Sequence, residues 1–141
     1  MTAPKTTAAP TFTTGDNAGT VSISGLVECS GLVASRNNVS VLWAHNDSNN
    51  PPQLFALDTQ GRLLGIYNLT GAANTDYEDI GIGPGPLPNV SYLYVGDIGD
   101  NAENRSTIRV YQIPEPAVYA RQYTNPPTVG VKRAVPCPPE G

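Results

Sequence analysis

The amino-acid sequence predicts an all-β fold of antiparallel strands. Its apolar residues come in short runs that end at Gly, Asn, Asp or Pro, as strands bounded by turns do. Gly and Pro each contribute 14 of the 141 residues, which interrupts any helix repeatedly. The order of the short runs also repeats along the chain, and no segment shows a helical pattern. The length fits one domain of ordinary size.

Eight strands are predicted, each about as long as a sheet strand and each stopped by turn residues. They span 21–25, 28–35, 41–46, 53–58, 63–69, 77–83, 91–98 and 107–113, with a weaker segment around 118–123. Residues 1–20 are rich in Thr, Ala and Pro and predict an extended arm or an O-glycosylated stalk. Residues 126–141 are rich in Pro and predict an extended tail. The β domain is therefore expected to occupy residues 21–125.

Two four-stranded repeats are predicted within this domain, at about 28–69 and 76–124. Glu28 precedes the aromatic strand of Trp43 by fifteen residues, and Glu78 precedes the next aromatic strand by sixteen. An offset of about fifty residues is typical of β-propeller blades, which bury their faces only against neighbouring blades. A meander or a sandwich with accidental self-similarity is the alternative. Two blades are too few to close a propeller alone, so the chain is expected to be a fragment or to assemble.

A resemblance to a known family rests on five motifs between residues 28 and 116. They are ECSGLVASRNN, VLWAHNDSNNPPQLFALDTQGRLLG, DYEDIGIGPGP, SYLYVGDIGDN and STIRVYQIPEP. This pattern resembles a family of mostly uncharacterised secreted propeller proteins, distantly related to phytase-like and esterase-like propellers. The chain departs from the family at Tyr77, where Trp is more usual, and at Asn49, where Gly is more usual. The resemblance implies a propeller-type fold.

Five N-x-[ST] sequons favour a secreted, N-glycosylated protein over a chance product of an Asn-rich surface. They begin at Asn38, Asn46, Asn68, Asn89 and Asn104. The first residues hold no apolar segment that could act as a secretion signal, so we expect the signal peptide to be absent from this numbering. Cys29 and Cys137 fit an oxidising compartment if they pair. The alternative is one buried small apolar side chain and one free thiol.

The charge balance excludes one class of partner. Charged residues make up 14% of the chain, the formal net charge is -4 and the isoelectric point is about 4.7. A nucleic-acid partner is therefore not expected. No apolar run is long enough to span a membrane. The expected partners are other copies of the chain, together with N-linked and O-linked glycans.

Acidic and amide side chains recur at matching points of the repeat and predict a calcium site. The candidate ligands are Glu28, Asp47, Asp76, Glu78, Asp79, Asp97, Asp100 and Asn101. In a propeller, Glu28 and Glu78 would converge at the central channel, where the others would complete an oxygen-rich site that suits Ca²⁺. The EF-hand spacing fails at Asp97 and at Asp100, so the ligands would come from separate loops. Ordinary turn chemistry is the alternative.

The sequence contains no arrangement that predicts a catalytic residue. His45 is the only histidine, and neither Ser30 nor Ser48 lies in a G-x-S-x-G motif. The favoured function is an extracellular glycoprotein subunit with a structural or binding role, which self-assembles through exposed β edges into an oligomer or filament. The alternatives are a fragment of a calcium-dependent phytase-like or esterase-like hydrolase, and a small monomeric β domain.

Overall fold

The alternation of apolar and polar residues produces strands throughout the described chain. A computed structural model describes residues 9–119, 124 and 126–137, and this part of the chain contains no helix, hence none that could cross a membrane. The strands are β1 (Cys29–Ala34), β2 (Val41–Asn46), β3 (Gln53–Asp58), β4 (Leu63–Thr70), β5 (Tyr77–Pro84), β6 (Ser91–Asp97), β7 (Ile108–Pro114), β8 (Thr128–Gly130) and β9 (Arg133–Cys137). The predicted all-β class is confirmed.

The strands form two sheets that do not close into a barrel. Sheet 1 has the order β1, β2, β3, β4, β8, and sheet 2 has the order β5, β6, β7, β9. Neighbouring strands are antiparallel except β4 and β8, which run parallel. After β7 the chain returns to sheet 1 to form β8 and then crosses again to complete sheet 2 with β9.

The main core lies between the two sheets. Sheet 1 contributes Trp43 and Leu54, and sheet 2 contributes Leu93, Val95 and other buried side chains of β5 to β7. These residues alternate along their strands because successive side chains of a strand point to opposite faces. The first strands of the two sheets, β1 and β5, pack against each other. The sheets are therefore stacked face to face.

A segment that precedes β1 covers the other face of sheet 1. Residues 19–28, which we call the strap, cross this face, where Leu26 packs with Ala44, Phe55 and Leu57. The strap is not a strand, so the predicted strand at 21–25 is wrong. The strand-like composition of this stretch instead supplies apolar side chains to a segment that lies across the sheet.

The side chain of Asn46 fixes the strap to the end of β2. Asn46 is only 3% exposed. Its Nδ2 donates to the carbonyl oxygen of Gly25 at 2.7 Å, and its Oδ1 accepts from the backbone N–H groups of Val27 at 2.9 Å and Glu28 at 3.0 Å. One buried amide therefore satisfies three backbone groups that no sheet pairs.

Glu115, directly after β7, ties sheet 2 to sheet 1. Its buried carboxylate accepts from Trp43 Nε1 at 3.0 Å, from the backbone N–H groups of Arg36 at 3.1 Å and Asn37 at 3.2 Å, and from Ser35 Oγ. The last three donors belong to the turn between β1 and β2. A single carboxylate of one sheet thus satisfies a turn and a core indole of the other.

The two sheets repeat one another, including an irregularity. In sheet 1 the pairing of β1 with β2 shifts between Cys29 and Gly31. In sheet 2 the pairing of β5 with β6 shifts between Tyr77 and Asp79. Both bulges fall at the start of the first strand, where an extra residue bends the strand and increases its twist. The internal repeat therefore extends to the detail of the backbone.

In this register Asn46 and Asp97 occupy equivalent positions of the two repeats, and so do Glu28 and Asp76. Asn46 Oδ1 accepts from the Glu28 N–H at 3.0 Å, and Asp97 Oδ1 accepts from the Asp76 N–H at 2.8 Å. The prediction that Glu28 corresponds to Glu78 is therefore wrong by two residues. The sequence pattern allows Glu28 to be matched with either Asp76 or Glu78, and only the strand register decides between the two matches.

The last described part of the chain is more ordered than predicted. Residues 126–141 were expected to form an extended tail, but β8 and β9 lie within them. Pro136 is accommodated because β9 is an edge strand, where a missing N–H is tolerated. The place of the strand predicted around 118–123 is taken by β9. Residues 120–123 lie outside the described part of the chain.

Candidate functional site

A polar cleft opens where β2 and β6 end and β5 begins. Its volume is about 240 Å³, and it is lined by residues 48–49, 75–76 and 100–105 apart from Glu103. We call it the loop cleft. Three of the predicted metal ligands, Asp76, Asp100 and Asn101, line it.

Asp97 lies fully buried beside the loop cleft and faces a positive charge from the chain itself. Its Oδ1 lies 3.1 Å from Arg105 Nη1, in an ion pair in which the arginine side chain is also largely buried. Arg105 Nη1 in addition donates to the carbonyl oxygen of Gly99 at 2.7 Å. The cation beside Asp97 in this structure is therefore a guanidinium. The sequence gives no signal for this role, because Arg105 is visible there only as the middle residue of a sequon.

Asp76 is 7% exposed and lies next to two further carboxylates. Burial raises its pKa, the charge of Asp47 and a hydrogen bond with Asp47 raise it further, and Arg105 lowers it by more than Asp97 raises it. A buried carboxyl among like charges favours its protonated form. Within the described residues, Asp76 Oδ1 and Asp97 Oδ2 are buried without a hydrogen-bond partner.

Glu78 and Asp76 both lie against Gly99. A Cβ atom on Gly99 would clash with both Glu78 Oε1 and Asp76 Oδ2. A residue larger than glycine at this position would therefore have to displace both acidic side chains.

Two predicted ligands lie apart from this group. Glu28 is exposed and accepts from Asn50 Nδ2 at 2.8 Å. Asp79 is exposed, and its Oδ1 accepts from the Ile80 N–H at 2.8 Å. No hydrogen bond or ion pair of the described residues joins either side chain to Asp76 or Asp97. These contacts therefore do not bring all of the predicted acidic ligands together.

Asp100 shapes the turn that carries Arg105. Its Oδ1 accepts from the Asn104 N–H at 3.0 Å and its Oδ2 from the Arg105 N–H at 2.9 Å, while its carbonyl oxygen accepts from the Glu103 N–H at 2.9 Å. This is the turn chemistry that the sequence offered as an alternative to metal binding. Asn101 is exposed on the same turn.

No three carboxylate, imidazole or thiolate groups of the described residues are placed so that they could hold a metal ion. The contacts join Asp76 to Asp47 and to Asp97, with Arg105 as their counter-charge. Calcium binding stays a prediction, and any site would need backbone or amide oxygens in addition.

His45 is buried between the sheets. Its Nδ1 lies 2.9 Å from the carbonyl oxygen of Asn46 and 3.3 Å from Ser30 Oγ, and its ring packs edge-on against Tyr77. Ser30 Oγ donates to the carbonyl oxygen of Tyr77 at 2.9 Å. Since that proton is directed at a backbone oxygen, His45 does not activate Ser30 in this geometry. A Cβ atom on Gly31 would clash with His45 Nε2, so glycine is required beside the ring.

The predicted modification residues lie in different environments. Asn89 and Asn104 are exposed, Asn38 and Asn68 are half-buried, and Asn46 is buried. Cys29 is exposed at the start of β1. The Cys137 side chain lies outside the described residues, so its pairing with Cys29 stays a prediction.

Comparison with family models, with curated proteins and with solved structures found no match. The resemblance to secreted propeller proteins therefore stays a prediction.

Proposed function

We propose that this protein is an extracellular glycoprotein subunit with a structural or binding role that self-assembles into an oligomer or filament. The observation that carries the proposal is one face of sheet 2. Leu93, Val95, Tyr111 and Ile113 point into the core, so the residues between them point away from it. We call the surface formed by Gly81, Tyr94, Val110, Gln112 and Val135 the open face.

The internal repeat indicates what kind of surface the open face is. Tyr94 stands three residues before Asp97, as Trp43 stands three residues before Asn46. Trp43 is fully buried against sheet 2, whereas Tyr94 is only half-buried. The open face of sheet 2 is thus the counterpart of the face that sheet 1 buries in the core. No sheet formed by the described residues covers the open face.

Two polar side chains of the open face, Tyr94 and Gln112, bond to each other, and one acceptor of the pair stays without a partner. Gln112 Nε2 donates to Tyr94 Oη at 3.0 Å, and Tyr94 Oη donates to the carbonyl oxygen of Pro84. The Val135 side chain is 41% exposed, and a Cβ atom on Gly81 would meet nothing within 4 Å. Gln112 Oε1 is buried without a hydrogen-bond partner among the described residues. Apart from this acceptor, covering the face would leave no side-chain polar group of Tyr94 or Gln112 unpaired. This supports contact with another polypeptide.

The edge of sheet 2 adds a second route to assembly. β9 pairs with β7 on one side, and no described residue pairs with its other side. Unpaired edges of this kind readily accept a strand from another chain. Contact between identical surfaces would give closed dimers, and contact between different surfaces would give rings or filaments.

The test is the mass of the full chain purified from a secreting eukaryotic host, measured by light scattering and followed by electron microscopy. The polypeptide alone has a mass of 14.8 kDa. Self-assembly predicts a mass well above that of one such polypeptide plus its glycans. Val135→Lys, on the open face, should lower that mass. The matched control is Val39→Lys, in the turn between β1 and β2 and not on the open face, where the valine is 94% exposed and the change should have no effect.

A wild-type protein that remains a compact monomer at all concentrations would contradict the proposal. An assembly that Val135→Lys leaves intact would show that another surface makes the contact.

A further inference from the structure

Two of the five sequon asparagines have side chains that are free to carry a glycan. Asn89 is exposed in the loop before β6, with a φ of 60°. Asn104 is exposed in the loop after β6. Within the described part of the chain, neither side-chain amide makes a hydrogen bond. A glycan on either Nδ2 would therefore extend into solvent without breaking a contact.

The amide of Asn38 is fully used by the fold. Its Nδ2 donates to Ser35 Oγ at 3.0 Å and to the carbonyl oxygen of Pro116 at 3.0 Å, and its Oδ1 accepts from the Val118 N–H at 2.9 Å. A side-chain amide has two N–H hydrogens, and glycosylation replaces one of them. A glycan on Asn38 would therefore remove either the bond to Ser35, which holds the turn between β1 and β2, or the bond to Pro116, which connects sheet 1 to the segment after β7.

Asn46 is excluded by burial as well as by bonding. Its Nδ2 donates beneath the strap to the carbonyl oxygen of Gly25, and the side chain is 3% exposed. A glycan there would have to displace the strap from sheet 1. Asn68, which is half-buried and accepts from Gln53 Nε2 at 2.8 Å, belongs to neither group.

We propose that the folded protein carries N-glycans at Asn89 and Asn104 and none at Asn38 and Asn46. The inference rests on the proposed secretory glycoprotein. Because Asn89 precedes β6 and Asn104 follows it, the two glycans stand beyond opposite ends of this strand. The open face between the strand ends then remains uncovered and available for contact with another copy.

The experiment directs the full chain into the secretory pathway of cultured eukaryotic cells and compares the mass of the secreted protein before and after enzymatic deglycosylation. Each sequon is removed at its hydroxyl residue, so that every asparagine keeps its own contacts. The variants are Ser40→Ala, Ser48→Ala, Ser91→Ala and Ser106→Ala, which delete the sequons of Asn38, Asn46, Asn89 and Asn104.

Ser91→Ala and Ser106→Ala should each remove the mass of one glycan, and Asn89→Gln and Asn104→Gln should reproduce the two losses. Ser40→Ala and Ser48→Ala should remove none. A loss in either of the latter variants, or no loss in either of the former, would overturn the assignment.

Light scattering of the same secreted samples separates this result from the proposed function. The expected glycan pattern on a monomeric protein would overturn self-assembly alone. A different pattern on an assembled protein would overturn the glycan assignment alone.

Discussion

Replacing Glu115 by Gln should destabilise the fold, although Glu115 lies in neither the loop cleft nor the open face. Its carboxylate is only 8% exposed and accepts from four donors, three at Oε1 and one at Oε2. Gln has a single carbonyl oxygen. It can therefore keep the three bonds at Oε1 at best, while its amino group faces the N–H of Asn37.

The size of the effect follows from these contacts. A hydrogen bond to a charged group contributes about 1.5–3 kcal/mol net, and one between neutral groups about 0.5–1.5 kcal/mol. One charged bond is lost and three become neutral, which together predict a loss of about 3–6 kcal/mol, the lower figure applying where neighbouring bonds are strongly coupled. Domains typically have about 5–15 kcal/mol of stability in total, so this loss is a large fraction of it.

Urea unfolding followed by tryptophan fluorescence measures this loss directly. Trp43 is the only tryptophan, it is fully buried, and its indole N–H donates to Glu115. The control is Glu103→Gln, at an exposed site, which should change the free energy of unfolding by less than about 0.5 kcal/mol. A Glu115→Gln variant as stable as this control would refute the assignment of Glu115 as the connection between the sheets.

Two further predictions concern the loop cleft. Because the folded state raises the pKa of Asp76 above its value of 3.8 in the unfolded chain, the wild-type free energy of unfolding should fall as the pH rises from about 4 through the folded-state pKa. Asp76→Asn should therefore be more stable than wild type at pH 7 and lose this advantage at pH 3, and equal urea midpoints at pH 7 would contradict the predicted effect. The calcium hypothesis predicts that added Ca²⁺ raises the melting temperature and that Asp76→Asn abolishes the rise. An unchanged melting temperature would count against a metal at Asp76 and Asp97.

Most strands were predictable because their patterns are local. Seven predicted strands match β1 to β7 with ends that differ by at most one residue. The strand predicted at 21–25 was wrong. The composition of this stretch suits a sheet, but hydrogen bonds with the distant side chain of Asn46 hold the strap across sheet 1 instead. β8 and β9 were missed because a Pro-rich composition is typical of an extended tail outside any sheet. Pairing with an already formed edge requires little from the side chains.

The candidate site was predictable only in part. Asp76 and Asp97, both among the predicted ligands, meet because Asp76 directly precedes β5, Asp97 ends β6, and these two strands pair antiparallel in sheet 2. The partner of Asp97 was missed because Arg105 shows no recognisable spacing. The role of Glu115 was missed as well, since a lone acid between two prolines gives no sign of the four donors around it.

The crossing of the chain between the sheets has a consequence for how the protein is made. β8 pairs Thr128 with Asn68, and β9 pairs Ala134 with Tyr111, so strands from one short segment complete both sheets. Pairings between residues so distant in sequence form slowly, whereas the hairpin of β2 and β3 can form early. During synthesis sheet 1 would remain incomplete until β8 has left the ribosome, and sheet 2 until β9 has followed. The nascent chain should therefore expose unpaired strands for most of its translation, and chaperones would be needed longest at that stage.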